Sequence, residues 1–256
     1  SGAGVYTINS AWNLGISLSR AERAPSTEEL FSNLGNAEEE FVTHAATGII
    51  EIGDRNLDTE VSINTDISLN WQGEQSFAEL TVFYNNFSDY IFLLNSGEEV
   101  DETPVYFYAQ EDADFYGVEF QSSFQLATVG SGDLALGVFG DMVRGELNAS
   151  GDVPRLPPLR IGGELSWRGD ALGAYVRVLN AEDQERPGDF ETETDGYTRW
   201  DAGIDYNLQL AGNTDLLAFV KLKNITDEEI RLSTSFLRNF APQAGESIEA
   251  GVRLTF

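Results

Sequence analysis

Val61-Ser62-Ile63-Asn64-Thr65-Asp66-Ile67-Ser68-Leu69-Asn70-Trp71 carries Val, Ile, Thr, Leu or Trp at every odd position and Ser, Asn or Asp at every even one. A period of two belongs to a strand whose successive side chains point to opposite faces, so this segment predicts a β-strand with one apolar and one wet face. The pattern returns at Trp12, Leu14, Ile16 and Leu18 against Asn13, Gly15, Ser17 and Ser19, and at Tyr116, Val118, Phe120, Phe124 and Leu126 against Glu119, Gln121, Ser123 and Gln125. Further copies run through Leu159 to Trp167, Trp200 to Leu208 and Ile248 to Phe256. With Ala78 to Tyr84, Leu134 to Met142, Leu172 to Val178 and Leu216 to Leu222, about ten or eleven strands are expected, many near the roughly ten residues that a tilted membrane strand needs. No stretch reads as a long helix.

A soluble β-sandwich alternates in the same way, and the connections distinguish the two. One set is short: Gly73-Glu74-Gln75, Val129-Gly130-Ser131-Gly132, Arg168-Gly169-Asp170 and Ala211-Gly212-Asn213. The other is long and acidic: Glu22 to Asn56, Asn95 to Thr103, Asn148 to Pro158, Ala181 to Gly196 and Thr226 to Gly245. Short and long alternate along the chain. An up-and-down barrel puts all the tight turns at one end, the periplasmic one, and all the long loops at the other. The expected fold is therefore all-β, a transmembrane antiparallel up-and-down β-barrel. Trp71, Trp167, Tyr197, Trp200 and Phe256 stand near strand ends, where amphipathic rings sit at a membrane interface. If the Asn9-Ser10 turn is periplasmic the strand count is odd, whereas single-chain bacterial barrels have even numbers. The chain is thus expected to be part of a barrel, residues 1–256 forming its C-terminal portion.

Composition agrees. Hydrophobic residues make up 41% of the 256 residues, and no run of about 18 apolar residues forms a transmembrane helix. Without Cys there is neither a disulfide framework nor a thiolate metal site. A formal charge of −28, from 15 Lys and Arg against 43 Asp and Glu, opposes nucleic acid as a partner. Ser1-Gly2-Ala3-Gly4 has neither the basic nor the apolar region of a signal peptide. With one His, and neither a Gly-x-Ser-x-Gly elbow nor a His-Glu-x-x-His helix, the sequence lacks the parts of an enzyme. No cofactor is expected.

Four segments carry a family resemblance. They are Ser19-Arg20-Ala21-Glu22-Arg23-Ala24-Pro25-Ser26-Thr27-Glu28-Glu29-Leu30-Phe31, followed by His44-Ala45-Ala46-Thr47 and by Glu51-Ile52-Gly53-Asp54 through Asn56-Leu57; Ala113-Asp114-Phe115-Tyr116-Gly117-Val118-Glu119; Pro154-Arg155-Leu156-Pro157-Pro158; and Asn224-Ile225-Thr226-Asp227-Glu228-Glu229 with Ala241-Pro242-Gln243-Ala244-Gly245 and Phe256. In this order, over essentially the whole length, the chain resembles the C-terminal β-barrel region of TonB-dependent outer-membrane receptors. The resemblance implies a barrel of about 22 strands around an N-terminal plug, in the outer membrane of a Gram-negative bacterium. It implies TonB-energised uptake of a scarce nutrient such as a metal ion or metal chelate, and contacts with lipid, lipopolysaccharide and the barrel assembly machinery, as a monomer. It makes Phe256 an assembly signal, and the chain contains neither a plug domain nor a TonB-contacting box. A passive porin or adhesive barrel is the alternative.

The His44 region and Thr234-Ser235-Phe236-Leu237-Arg238 are similar to a branch associated with zinc uptake. A zinc site wants several imidazoles or carboxylates at about 2 Å, and the chain's single His departs from that. His44 with Glu38, Glu39 and Glu40 is the candidate substrate-binding group on an outer loop. Asp112, Asp114, Asp227, Glu228 and Glu229 are carboxylates of the type that suits Ca²⁺, without EF-hand spacing. Arg20, Glu79, Glu119, Arg144, Glu164, Arg177, Asp205 and Arg253 are expected to face inward, where charge needs water or an opposite charge.

Overall fold

The computed structural model describes residues 1–189, 191–210 and 214–256. The expected Ala211-Gly212-Asn213 turn lies outside them. In chain order the strands are β1 (Gly2–Thr7), β2 (Trp12–Arg23), β3 (Ile50–Ile52), β4 (Glu60–Gln72), β5 (Phe77–Val100), β6 (Thr103–Val129), β7 (Gly132–Leu147), β8 (Gly151–Asp152), β9 (Arg160–Arg168), β10 (Leu172–Ala181), β11 (Tyr197–Gln209), β12 (Asp215–Lys223) and β13 (Ser247–Thr255). The described helices are α1 (Thr27–Phe31) and a 3₁₀ turn at Glu38–Glu40. All strands belong to one sheet of order β1-β2-β4-β5-β6-β7-β9-β10-β11-β12-β13. Each neighbour on this path is antiparallel, while β3 lies parallel to β6 and β8 pairs with the end of β7.

Sequence-adjacent strands therefore pair in up-and-down order, but the expected barrel is corrected: the sheet is open. Closure requires the first strand to bond the last, and here β1 pairs only with β2 and β13 only with β12. Both edge strands keep a row of unpaired backbone groups, which a closed barrel does not have.

Directly paired residues share a face, and the register separates the two faces cleanly. Ile16 pairs with Ile67, Ile67 with Val82 and Val82 with Val118, and further along Leu165 pairs with Val176 and Ile204 with Val220. These residues form a continuous apolar face, and no second sheet covers it among the described residues; Ile67, Val82, Val176 and Ile204 are each close to half exposed. Trp12, Trp71 and Phe124 line up at its turn end, with ring centroids 6.4 and 6.0 Å apart. At its loop end the face turns polar at Asn86, Asp114 and Glu146, where Tyr84 and Tyr116 donate to Asp114 (2.5 Å) and Glu146 (3.1 Å). Arg20 and Arg144 belong to this rim, since Arg20 is opposite Ile63 and Arg144 opposite Tyr116. Their expected inward placement is corrected, because strict alternation gives Arg20 the parity of Ile16 and Leu18. Glu79, Glu119, Glu164, Arg177, Asp205 and Arg253 do lie on the opposite, polar face.

One expected loop is strand. Residues 95–103 continue β5 and β6, so this hairpin has arms of 24 and 27 residues and turns at Asp101 and Glu102, both with positive φ. Its acidic composition argues for a loop, but pairing of Asn95 with Tyr106 and Glu99 with Pro104 extends the ladder. A small apolar cluster of Phe92, Ala113, Leu147 and Val153 lies at the base of this extension.

Candidate functional site

The turns at residues 8–11, 73–76, 130–131 and 169–171 fall at one end of the sheet, and the long connections, residues 24–59, 148–159, 182–196 and 224–246, fall at the other together with the tip of the β5–β6 hairpin. The strand-exit sequence after β2 explains how the first long segment is held. Arg23 Nη1 donates to both oxygens of Glu29 (3.0 and 2.9 Å), while its Nη2 and Nε donate to Glu60 (3.1 and 3.3 Å). Glu29 closes a capping box with Ser26, accepting from Ser26 N at 2.6 Å while Ser26 Oγ accepts from Glu29 N. Burial pushes the Glu29 carboxyl up, yet the hydrogen bonds from Arg23 and Ser26 outweigh it and hold the group below the ordinary range. Gly53 then passes so close to α1 that a Cβ would strike the backbone of Leu30 and Phe31, and Gly53 N donates to Ser32 O. Strand β3, immediately before Gly53, docks on β6.

His44 sits over this junction. Its Nδ1 lies 3.2 Å from Thr47 Oγ1 and 3.5 Å from Glu51 Oε1, and its Nε2 lies 3.7 Å from Glu28 Oε1. Glu51 is buried, accepting from Thr47 Oγ1 (2.9 Å) and Tyr108 OH (2.8 Å). Burial and the bond to Glu51 push the Tyr108 phenol far above its ordinary value. The structure thus brings His44 together with Glu28 and Glu51. Glu38, Glu39 and Glu40 form the exposed 3₁₀ turn, and none of the ion pairs of His44 includes them. Glu51 belongs to the Glu-Ile-Gly-Asp segment, but no sequence period shows that a strand of three residues there would cross to β6.

Of the remaining acidic candidates, Asp112, Asp114, Asp227 and Glu229 are engaged by other groups of the chain, Asp112 accepting from Asp89 N. Asp114 accepts from Tyr84 and Asn86, Asp227 from Glu246 N, and Glu229 pairs with Arg231. Among the described residues no group of three or more His, Asp or Glu is spaced to hold a metal ion. Asn224 is a site residue whose role the sequence did not reveal. It is 2% exposed at φ +51°; its backbone N–H donates to Asp201 Oδ1, while its side-chain amide donates to Glu228 O and Ala244 O and accepts from Glu228 N at the exit of β12.

On the polar face, β5, β6, β7, β9 and β10 line an open cavity of about 600 Å³ with Glu79, Glu119, Asp141, Arg160, Glu164 and Arg177. Arg160 grips Asp141 through two nitrogens (2.8–3.2 Å), Gln121 donates to Glu79 (2.8 Å), and the Arg177 guanidinium stacks 4.2 Å over Phe139. This is a wet, mixed-charge surface that offers hydrogen bonds of both polarities.

Residues 1–225 match the family model described as TonB dependent receptor-like, beta-barrel. The chain belongs to this TonB-dependent receptor-like family. Its fold is shared with solved structures at low identity. The copper transporter OprC is 16% identical with a TM-score of 0.76, over 98% of this chain and 38% of that one. The siderophore receptor PirA from Pseudomonas aeruginosa is 15% identical with a TM-score of 0.65, over 99% of this chain and 41% of its own. The FrpB iron transporter from Neisseria meningitidis is 15% identical with a TM-score of 0.64, over 98% and 38%. The chain spans about two fifths of each of these solved structures.

Proposed function

We propose that this chain is the wall-and-loop portion of a monomeric outer-membrane receptor of a Gram-negative bacterium, taking up a scarce nutrient, a metal ion or metal chelate, with energy from the TonB complex. The observation that carries the reading is the two-faced sheet: an uncovered apolar face bounded by Trp and Tyr rows, a charged opposite face, and every long acidic loop at one end. The apolar face suits lipid, and the rim of Asp114, Glu146 and Arg144 suits the lipopolysaccharide layer. The polar face needs water or a polar protein surface against it, the role proposed for an N-terminal plug. Solved relatives in fold described as copper, siderophore and iron proteins favour metal cargo. Within the loops, His44 with Glu38, Glu39 and Glu40 is the proposed nutrient-facing group, and Phe256, at the end of β13, the proposed signal to the assembly machinery.

The test is growth and uptake of radiolabelled metals or their chelates by cells lacking the full-length gene, with and without TonB, complemented by the unsubstituted receptor and by His44→Ala. Loss of uptake of one metal in both the receptor and TonB deletions, restored by the receptor, supports the proposal. Unchanged uptake of copper, iron and zinc in the receptor deletion would sink it.

A further inference from the structure

Three of the long connections are tied to one another rather than to the sheet alone. Glu191, in the segment between β10 and β11, is buried against Arg238 from the segment between β12 and β13, Oε1 to Nη1 at 2.9 Å, with side-chain exposures of 4% and 8%. The other oxygen of the same carboxylate accepts from the backbone N–H of Arg155, in the segment between β8 and β9, at 2.8 Å. One side chain therefore touches all three segments. Around it, Leu156 O accepts from Gln184 Nε2 (2.7 Å) and Ser233 Oγ (2.9 Å), again joining the three. Thr192 Oγ1 donates to Asn239 Oδ1 (3.1 Å), and the Arg155 guanidinium lies 4.4 Å over the Phe236 ring.

An ion taken out of water is tolerated only while its partner stays, and removing one member of a buried pair strands the other. Arg238 is already short of contacts, since its Nε is buried without a partner among the described residues. Withdrawal of any one segment would leave Glu191 or Arg238 buried with fewer partners, so separate opening is costlier than joint opening. Residues 24–59 share none of these contacts; they are fixed by Arg23, Glu29, Glu60 and β3.

We propose that residues 148–159, 182–196 and 224–246 open and close as one cooperative cap keyed by Glu191, independently of residues 24–59. This holds whatever nutrient the receptor takes up, because the cap is tested without ligand. Hydrogen exchange read by mass spectrometry on the full-length receptor in outer-membrane vesicles decides it. Glu191→Gln is expected to speed exchange at least about tenfold in peptides from all three segments, with residues 24–59 within about twofold of the unsubstituted protein. Acceleration confined to 182–196, or different by more than about tenfold between the segments, overturns the proposal. Should Glu191→Gln fail to reach the membrane, the unsubstituted receptor in rising urea serves: a common midpoint for the three segments is expected, and separate midpoints overturn it.

Discussion

Tyr175 lies across Gly203, its directly paired neighbour on the next strand, with the phenol ring occupying the space where a Cβ would stand. The same relation recurs along the polar face: Phe83 over Gly117, Phe115 over Gly145, Phe139 over Gly162 and Phe219 over Gly251, each pair directly opposite in the register. In every case the aromatic is on the earlier strand and the glycine on the later. A ring laid flat on a glycine covers two strands' worth of backbone and fits only one register, so the pairs oppose slippage. Gly203→Ala is expected to destabilise the folded receptor by about 1–3 kcal/mol through overpacking. Since Tyr175 side-chain atoms are the nearest obstruction, Gly203→Ala/Tyr175→Ala should cost at least about 1 kcal/mol less than the sum of the single changes. Urea unfolding of the full-length receptor in detergent measures both.

The Arg23-Glu29-Ser26 junction has a signed pH dependence. Its carboxyl is held below the ordinary value of 4.5 in the folded state. The ionised form is thus the one that folding favours, and the stabilisation is present above that ordinary value and lost as pH falls through the lowered one. Hydrogen exchange in α1, corrected for intrinsic rates, is expected to rise below pH 4.5 and to stay flat between about pH 5 and 8. Ser26→Ala, which removes the N-cap, should loosen α1 by about 1 kcal/mol at neutral pH. Unchanged exchange in α1 on acidification would show that Glu29 does not hold the helix.

Strands were legible because alternation is written locally: the parity of Ile63, Ile67 and Trp71 is enough to assign a face. The same parity, applied to Arg20, shows it on the apolar rim, and its charge alone misdirected the expectation. What the sequence does not carry is long-range pairing. Nothing local says whether β1 and β13 meet, and they do not. Nor does the acidic run Glu98 to Glu102 announce that it is the tip of a hairpin, because cross-strand bonding to residues 103–107 decides it. The loop site was half visible: His44 stands out as the only imidazole, but its neighbours Glu28 and Glu51 arrive from α1 and β3, held together by the close approach of Gly53 to α1. Proximity in sequence favours Glu38 to Glu40 as partners, and the fold brings others.

Asn224 combines two demands that substitution can separate. Its positive φ is strained for most residues, and its buried amide serves the backbone of Glu228 and Ala244. Asn224→Gly relieves the first and loses the second; Asn224→Ala loses both. The expected order of stability is Asn, then Gly, then Ala, with Gly about 1–3 kcal/mol below Asn for the unmet hydrogen bonds and Ala about 1 kcal/mol lower again for the backbone. Thermal unfolding of the full-length receptor reports this order, and equal stability of the Gly and Ala variants would remove the backbone argument.

The pairing of Tyr108 with Glu51 reaches the junction from the alkaline side. Burial, then the hydrogen bond and the negative charge of Glu51, raise the phenol above its ordinary value of 10.0. A raised value means that the protonated form is the one folding favours. The stabilisation is therefore complete below pH 10.0 and lost as pH climbs toward the raised value. Glu51→Gln keeps an acceptor for Tyr108 and Thr47 but removes the charge, so Tyr108 should ionise at lower pH than in the unsubstituted receptor. Difference absorbance against Tyr108→Phe isolates this one phenol among the nine tyrosines. An unshifted titration in Glu51→Gln would assign the effect to burial alone.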